Sequence, residues 1–375
     1  MLGISARSPL RFILIVALCS AASLLHAVDA PKSETPKPGE PTDPKAHKTY
    51  LDAYKWLKAG RRDEAIDSFR KAAKQDGHCT ECLRQAYSLA NALGRYKEAE
   101  QIAREWLPIA TSDDERATVH YRVALALQQQ GINDKKEKCF DESCEEFKSA
   151  LQLEPKLTTA HYALGISLAH LRQDDAARAE FSTFLATDTV TPNVHERAQR
   201  FVDRVELARA RMAPPFAVTT LDGQHISLDS LTGKVVLIDF WATWCGPCRE
   251  ALPHIRDVAH RFQEQPLVVI SISLDKDESK WKDFVAKNQM TWLQYRDGGF
   301  DGAIAKSFGV TAIPATFTID ADGVLEDQHV GDANIEGKLK KLLVTANGNH
   351  KPSSPGLQDR PAASAAPDKS SPGSE

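Results

Sequence analysis

At Pro214 the hydrophobic pattern changes period, and no single fold accommodates both halves. From His47 to about Met212 apolar residues recur at helical spacing. Beyond Pro214 two nearly continuous apolar runs stand out: Val235-Val236-Leu237-Ile238 with Phe240, and Leu267-Val268-Val269-Ile270 with Ile272. Runs of that length without alternation predict strands buried on both faces, as in a parallel sheet flanked by helices. Turn pairs Asp222-Gly223 and Asp322-Gly323 add hairpins before and after, giving the sheet an antiparallel edge. The chain is therefore read as an all-α domain followed by an α/β domain, and its 375 residues suffice for two cores.

The helical half repeats itself. Gly60 and Ala65 recur as Gly94 and Ala99, 34 residues later, and Phe147 and Phe181 are again 34 apart. This resembles the tetratricopeptide repeat, in which small residues let paired helices approach and a glycine ends the first helix. Repeats are expected over 46–79, 80–113 and 158–191. The third carries seven extra residues, with Gly131 and Phe147 16 apart, and the charged stretch Lys135-Lys136-Glu137-Lys138-Cys139 reads as a loop closed by Cys139 and Cys144. Residues 193–212 read as a capping helix into the next domain.

The ends have their own character. Arg7, Arg11, the apolar run Phe12–Leu25 and the small Ala27 compose an export signal over 1–27, with an uncleaved anchor facing the periplasm as the alternative. Residues 28–46 read as a flexible spacer and 347–375 as a disordered tail, leaving 47–192 for the repeats and 213–346 for the α/β domain. A formal net charge of -4 argues against nucleic acid as a partner. Seven cysteines become six if Cys19 leaves with the signal, and these fall as three close pairs: Cys79 with Cys82, Cys139 with Cys144, and Cys245 with Cys248. In an exported chain the first two pairs read as structural disulfides; zinc held with His78 is the alternative reading.

The chemistry lies at Trp244-Cys245-Gly246-Pro247-Cys248, where a buried strand gives way to a helix. At a helix N-terminus the unpaired backbone N–H groups and the helix dipole stabilise a thiolate, so Cys245 is the expected nucleophile. Cys248, one turn on, is the expected resolving thiol. Neither a zinc ribbon nor haem attachment fits, since no second CxxC lies nearby and Arg249 stands where haem would need His.

This segment closely resembles thioredoxins. The domain resembles the exported thioredoxin-like thiol:disulfide oxidoreductases (TlpA-like, with an AhpC/TSA-type thioredoxin domain), sharing Pro253 and the pair Ile313-Pro314 before the strand Ala315–Ile319. The whole chain is thus an all-α tetratricopeptide-like repeat domain followed by an α/β thioredoxin-like domain. The resemblance implies that Pro314 is cis and packs against the CxxC, and that Ile313 offers its backbone to an extended substrate segment beside Trp244, Gly246 and Pro247. Peroxiredoxins share the fold, but Ala242 and Ile238 stand where their motif wants Thr and Pro. In thioredoxins the residue matching Asp239 relays a proton to the second cysteine. The exported reductases would place Glu where this chain has Ala251, with Glu250 one position early, so Asp239 is the expected relay, a purely structural Asp being the alternative. The expected partners are disulfide-bearing client proteins, a membrane thiol reductase as electron donor, and a protein or peptide in the repeat groove; no cofactor or metal is called for. A repeat scaffold with an accessory redox domain is the competing reading.

Overall fold

The structure, a computed structural model, describes residues 39–187, 192–331 and 335–349. The expected export signal, most of the spacer and residues 350–375 of the tail lie outside the described residues. Nine α-helices come first among these: α1 (Pro44–Lys58), α2 (Arg62–Asp76), α3 (Thr80–Ala92), α4 (Tyr96–Trp106), α5 (Asp113–Asp134), α6 (Glu137–Leu153), α7 (Thr158–His170), α8 (Asp174–Leu185) and α9 (Pro192–Asp203). α1 begins inside the expected spacer because Asp43 caps it, accepting from the Ala46 N–H at 2.8 Å, with Pro44 preset at the first helical position. Gly60 and Gly94 turn the first two hairpins with φ of 75° and 69°, where a side chain would strain the backbone.

Odd and even helices form separate layers. Tyr87 on α3 donates to the Arg122 carbonyl on α5 at 3.0 Å, and Gln128 on α5 donates to the Ala163 carbonyl and the Ser167 hydroxyl on α7 at 2.7 and 2.8 Å. The even layer is laced by ion pairs from Arg70 to Glu105 and from Arg104 to Glu146. Each layer thus stacks hairpin on hairpin, and the apolar faces are buried in two clusters, one over α1–α5 and one over α5–α9.

The expected loop at Cys139 is instead helix. α5 runs past Gly131 to Asp134 and turns at Lys135, which takes the left-handed conformation that Gly94 holds one hairpin earlier. The extra residues go into the helices themselves: α5 has 22 residues and α6 has 17, against 13 and 11 in α3 and α4 and 13 and 12 in α7 and α8. Cys139 and Cys144 are therefore not bonded: both are free and lie five residues apart on α6. That spacing separates them by about 140° around the helix and ~7.5 Å along it, beyond disulfide reach. Burial pushes the Cys144 thiol up to about 12.

After a short 3₁₀ turn at Val205–Arg209 the second unit begins with the hairpin of β1 (Ala217–Thr219) and β2 (His225–Ser227). It continues with β3 (Val235–Trp241), α10 (Gly246–Arg261), β4 (Leu267–Ser273), α11 (Glu278–Lys287), β5 (Leu293–Arg296), α12 (Ala303–Ser307), β6 (Ala315–Ile319), β7 (Leu325–Val330) and α13 (Ile335–Asn349). The sheet order is β5-β4-β3-β6-β7, with β3, β4 and β5 parallel and β6 and β7 antiparallel to their neighbours. This is a mixed-sheet thioredoxin-like domain behind a helical N-terminal region. All seven β3 residues are buried, which is why that strand reads as continuous apolar sequence. α13 carries ordered chain to Asn349, slightly into the expected tail.

The two units are joined by charge. Asp229, in the 3₁₀ turn before β3, accepts from Arg197 Nε at 3.1 Å and from Arg200 Nη1 at 2.7 Å, both arginines coming from α9. Arg197 also donates to the Ala213 carbonyl at 2.6 Å. Arg200 and Arg204 both reach Asp322 in the β6–β7 turn.

Close helix contact supplies a test. A Cβ built on Gly165 of α7 would lie 2.7 Å from the ring of Phe181, which is fully buried on α8 and cannot move aside. Gly165→Ala is expected to lower stability by about 1–3 kcal/mol in urea denaturation, although alanine is intrinsically the better helix former.

Candidate functional site

β3 ends at Trp241, and the chain crosses to α10 through Ala242, Thr243 and Trp244. Cys245 is the N-cap of α10: its Sγ accepts from the Cys248 N–H at 3.2 Å. The two sulfurs are bonded, and both residues are nearly buried, whereas Trp244 is 60% exposed and Pro247 is exposed beside it. Gly246 and Pro247 occupy the first helical turn, where a missing N–H on proline costs nothing. Ile313 and Pro314 arrive on the other side through a cis peptide bond, and the Ile313 carbonyl lies 3.8 Å from Cys245 Sγ. Pro314 is buried, and its carbonyl accepts from the Gly331 N–H at 2.9 Å. Cys245, Cys248, Trp244, Gly246, Pro247, Ile313 and Pro314 thus gather at one end of the sheet. Trp241 does not join them at the surface; it is buried and packs against Phe284 of α11.

One contributor was not legible in the sequence. Asp275, just past β4 and 3% exposed, accepts from the Thr243 N–H at 2.9 Å, the Thr243 hydroxyl at 2.6 Å and the Ser273 hydroxyl at 2.7 Å. These bonds fix the loop that aims Cys245. A buried carboxylate with three donors is well satisfied, so it holds the loop without a desolvation penalty left over. The only sequence signal is an acidic residue closing an apolar run, and nothing local ties it to Thr243, 32 positions earlier.

Asp239 sits two residues before the end of β3, inside the sheet, where its carboxyl accepts from the Ser271 hydroxyl at 3.1 Å. Side chains alternate across a strand, and Val235 and Leu237 pack with Ile255 and Val258 of α10 and with Leu339 and Leu343 of α13. Asp239 continues that row by one step toward the start of α10, the end that carries Cys248. Glu250, the other carboxylate considered, is exposed. Burial pushes the Asp239 carboxyl up from its ordinary 3.8 to about 7, the Ser271 hydroxyl opposing the rise.

The remaining cysteines lie in the helical unit. Cys79 caps α3, accepts from the Cys82 N–H at 3.1 Å and is disulfide-bonded to Cys82, both residues being fully buried. Among the described residues no group of three or more His, Cys, Asp or Glu side chains could hold a metal ion.

The AhpC/TSA family matches residues 210–328. The thiol-disulfide oxidoreductase ResA of Bacillus thuringiensis (strain Al Hakam) is 32% identical over 145 residues, 38% of this chain and 83% of the relative. The thioredoxin-like protein YneN of Bacillus subtilis (strain 168) is 32% identical over 141 residues, 37% of this chain and 81% of the relative. Among solved structures, a thiol-disulfide oxidoreductase from Bacteroides fragilis matches at a TM-score of 0.33 with 26% identity, covering 35% of this chain and 99% of that one.

The raised Asp239 value carries a stability signature. Between roughly pH 4 and 7 the folded protein keeps a proton that the unfolded chain has released, so stability falls as pH rises through that window. Asp239→Asn removes this loss. Unfolding free energies from urea titration are expected to match the parent near pH 4 and to exceed it near pH 8 by up to about 4 kcal/mol, and equal free energies at both pH values would contradict the assignment.

Proposed function

We propose, from the premise that this chain belongs through its C-terminal domain to the thioredoxin-like thiol-disulfide oxidoreductases, that it is an exported disulfide reductase acting through Cys245 and Cys248. The observation that carries the proposal is the N-cap position of Cys245. The bond from the Cys248 N–H and the positive end of the α10 dipole favour a thiolate on Cys245 once the pair is reduced.

The Cys245 thiolate attacks one sulfur of a client disulfide. That S–S bond breaks, a mixed disulfide forms on Cys245, and one client sulfur leaves as a thiolate, which takes its proton from water. Cys248 then gives its proton to Asp239 and attacks Cys245 Sγ. The client's second sulfur departs as thiolate, and the Cys245–Cys248 disulfide remains, two electrons having passed from the dithiol to the client. Burial suits Asp239 to this task, since a carboxyl near pH 7 both accepts and returns a proton at physiological pH. The Ile313 backbone beside Cys245 offers the client an extra strand pairing, and exposed Trp244 and Pro247 offer apolar contact. Gly246 lies between them, with open space where its Cβ would stand.

Ala242 and Ile238 in place of the Thr and Pro of peroxide chemistry fit a disulfide rather than a peroxide substrate. Arg7, Arg11 and the run Phe12–Leu25 support export, and among the described residues no helix is long and apolar enough to cross a membrane. In that setting a membrane thiol reductase returns the electrons to the oxidised pair, and the stacked helical layers, as tetratricopeptide-like repeats, hold a protein or peptide partner.

Two results test the reading. Cys245→Ser is expected to abolish disulfide reduction and Cys248→Ser to accumulate mixed disulfides with clients, while alkylation of the reduced protein followed by mass spectrometry labels Cys245 first at neutral pH. Preferential labelling of Cys248 would reverse the roles. Asp239→Asn is expected to leave attack by Cys245 nearly intact and to slow resolution by roughly ten- to a thousandfold. Slowing by Glu250→Gln in its place would move the relay to Glu250.

A further inference from the structure

The proton relay proposed for Asp239 does not stand alone in the sheet. β3 and β4 pair in parallel with Asp239 opposite Ser271, and β4 and β5 pair with Ser271 opposite Gln294, so these three polar residues share one row and one face of the sheet, a row that Thr316 of β6 and His329 of β7 continue on the other side of Asp239. Two bonds run through the row from its outer side. Trp292, just before β5, donates its Nε1–H to Ser271 Oγ at 2.8 Å, and Ser271 Oγ donates to Asp239 Oδ2 at 3.1 Å. Direction matters here. A hydroxyl has one proton to give, and an indole N–H can only donate, so Trp292 occupies a Ser271 lone pair and leaves the hydroxyl proton for the carboxylate.

We infer that Ser271 and Trp292 are positioning residues for the relay, a two-bond donor chain that stabilises the ionised form of Asp239 and so sets the pH at which Cys248 can be deprotonated. This rests on the relay reading of Asp239. The chain acts against burial, the only other influence on this carboxyl that is large enough to register. The charged surroundings are sparse. β4 and β6, on either side, carry no ionisable side chain within 267–273 and 315–319. α10, packed over the face, brings Cys248 and half-buried His254, while its Arg249 and Glu250 are exposed. From α13 the ionisable groups Glu336, Lys338, Lys340 and Lys341 lie at or near the surface, and His329 of β7 stands two strands away, paired in register with Thr316. In place of a fixed counter-charge, the carboxylate has a neutral donor whose proton is held in one direction by an indole.

The test follows resolution of a preformed Cys245 mixed disulfide in the full-length protein as a function of pH. Ser271→Ala is expected to move the midpoint upward by about one pH unit and to slow resolution near pH 7 by roughly three- to tenfold, with the pH profile of mixed-disulfide formation unmoved. Ser271→Thr, which keeps the hydroxyl, is expected to restore the parent profile, and Trp292→Phe to shift it in the same direction by less. In an Asp239→Asn background Ser271→Ala is expected to add no further pH shift. Should Ser271→Ala fold poorly, the carboxyl-carbon NMR titration of Asp239 in the parent and in Trp292→Phe gives the same answer, the midpoint rising in the variant. If Asp239→Asn slows resolution but neither Ser271→Ala nor Trp292→Phe moves the midpoint, the donor chain is overturned while the relay stands. If Asp239→Asn leaves resolution unchanged, the relay itself falls and takes the chain with it.

Discussion

The arrangement depends on a sulfur atom acting as a helix cap. Cys245 Sγ satisfies the Cys248 N–H that begins α10, so the same bond that starts the helix also defines the chemistry of the cysteine. Everything nearby keeps that cap in place. The fully buried β3 fixes where the chain emerges, Asp275 holds Thr243 from below, and Pro314 closes the opposite side. A conventional Ser or Asp cap would serve the helix equally well. With cysteine in that place, the residue that caps the helix also forms one half of the Cys245–Cys248 disulfide.

What the sequence made legible follows from how local each signal is. The buried strand, the CGPC turn and the helix start lie within about fifteen consecutive residues, so their pattern carries both fold and site. By contrast, the extra residues around Lys135 and Cys139 looked like a loop, because a charged stretch of that composition is equally at home on an exposed helix, and only the pairing of α5 with α6 decides between them. Two antiparallel helices that lengthen together keep packing on each other along the added turns, whereas a loop would not need that match. Asp275 and Ser271 escaped notice for a different reason. Each lies 32 positions from its partner, and a single polar residue at the end of or inside an apolar run gives no hint of what it will meet across the sheet.

The sheet also shows how a polar residue is tolerated in a buried strand. Asp239 costs stability when ionised, and Ser271 with Trp292 offsets part of that cost without adding a charge. Gln294, next in the row, has buried side-chain amide atoms with no hydrogen-bond partner. Polar groups left in that condition are uncommon in proteins and concentrate where function requires them.

The arginine clamp from α9 has a geometric meaning of its own. Asp229 lies before the first residue of β3 and Asp322 in the turn beyond β6, whereas Cys245 follows the last residue of β3. The seven residues of β3 place these features at opposite ends of a strand roughly 20 Å long. With Asp229 nearly inaccessible to solvent and held by two guanidinium groups, the join behaves as a bracket more than a hinge. The helical unit and the Cys245–Cys248 disulfide are consequently separated by a set length instead of a flexible tether, so the spacing between them is fixed in the manner of a ruler.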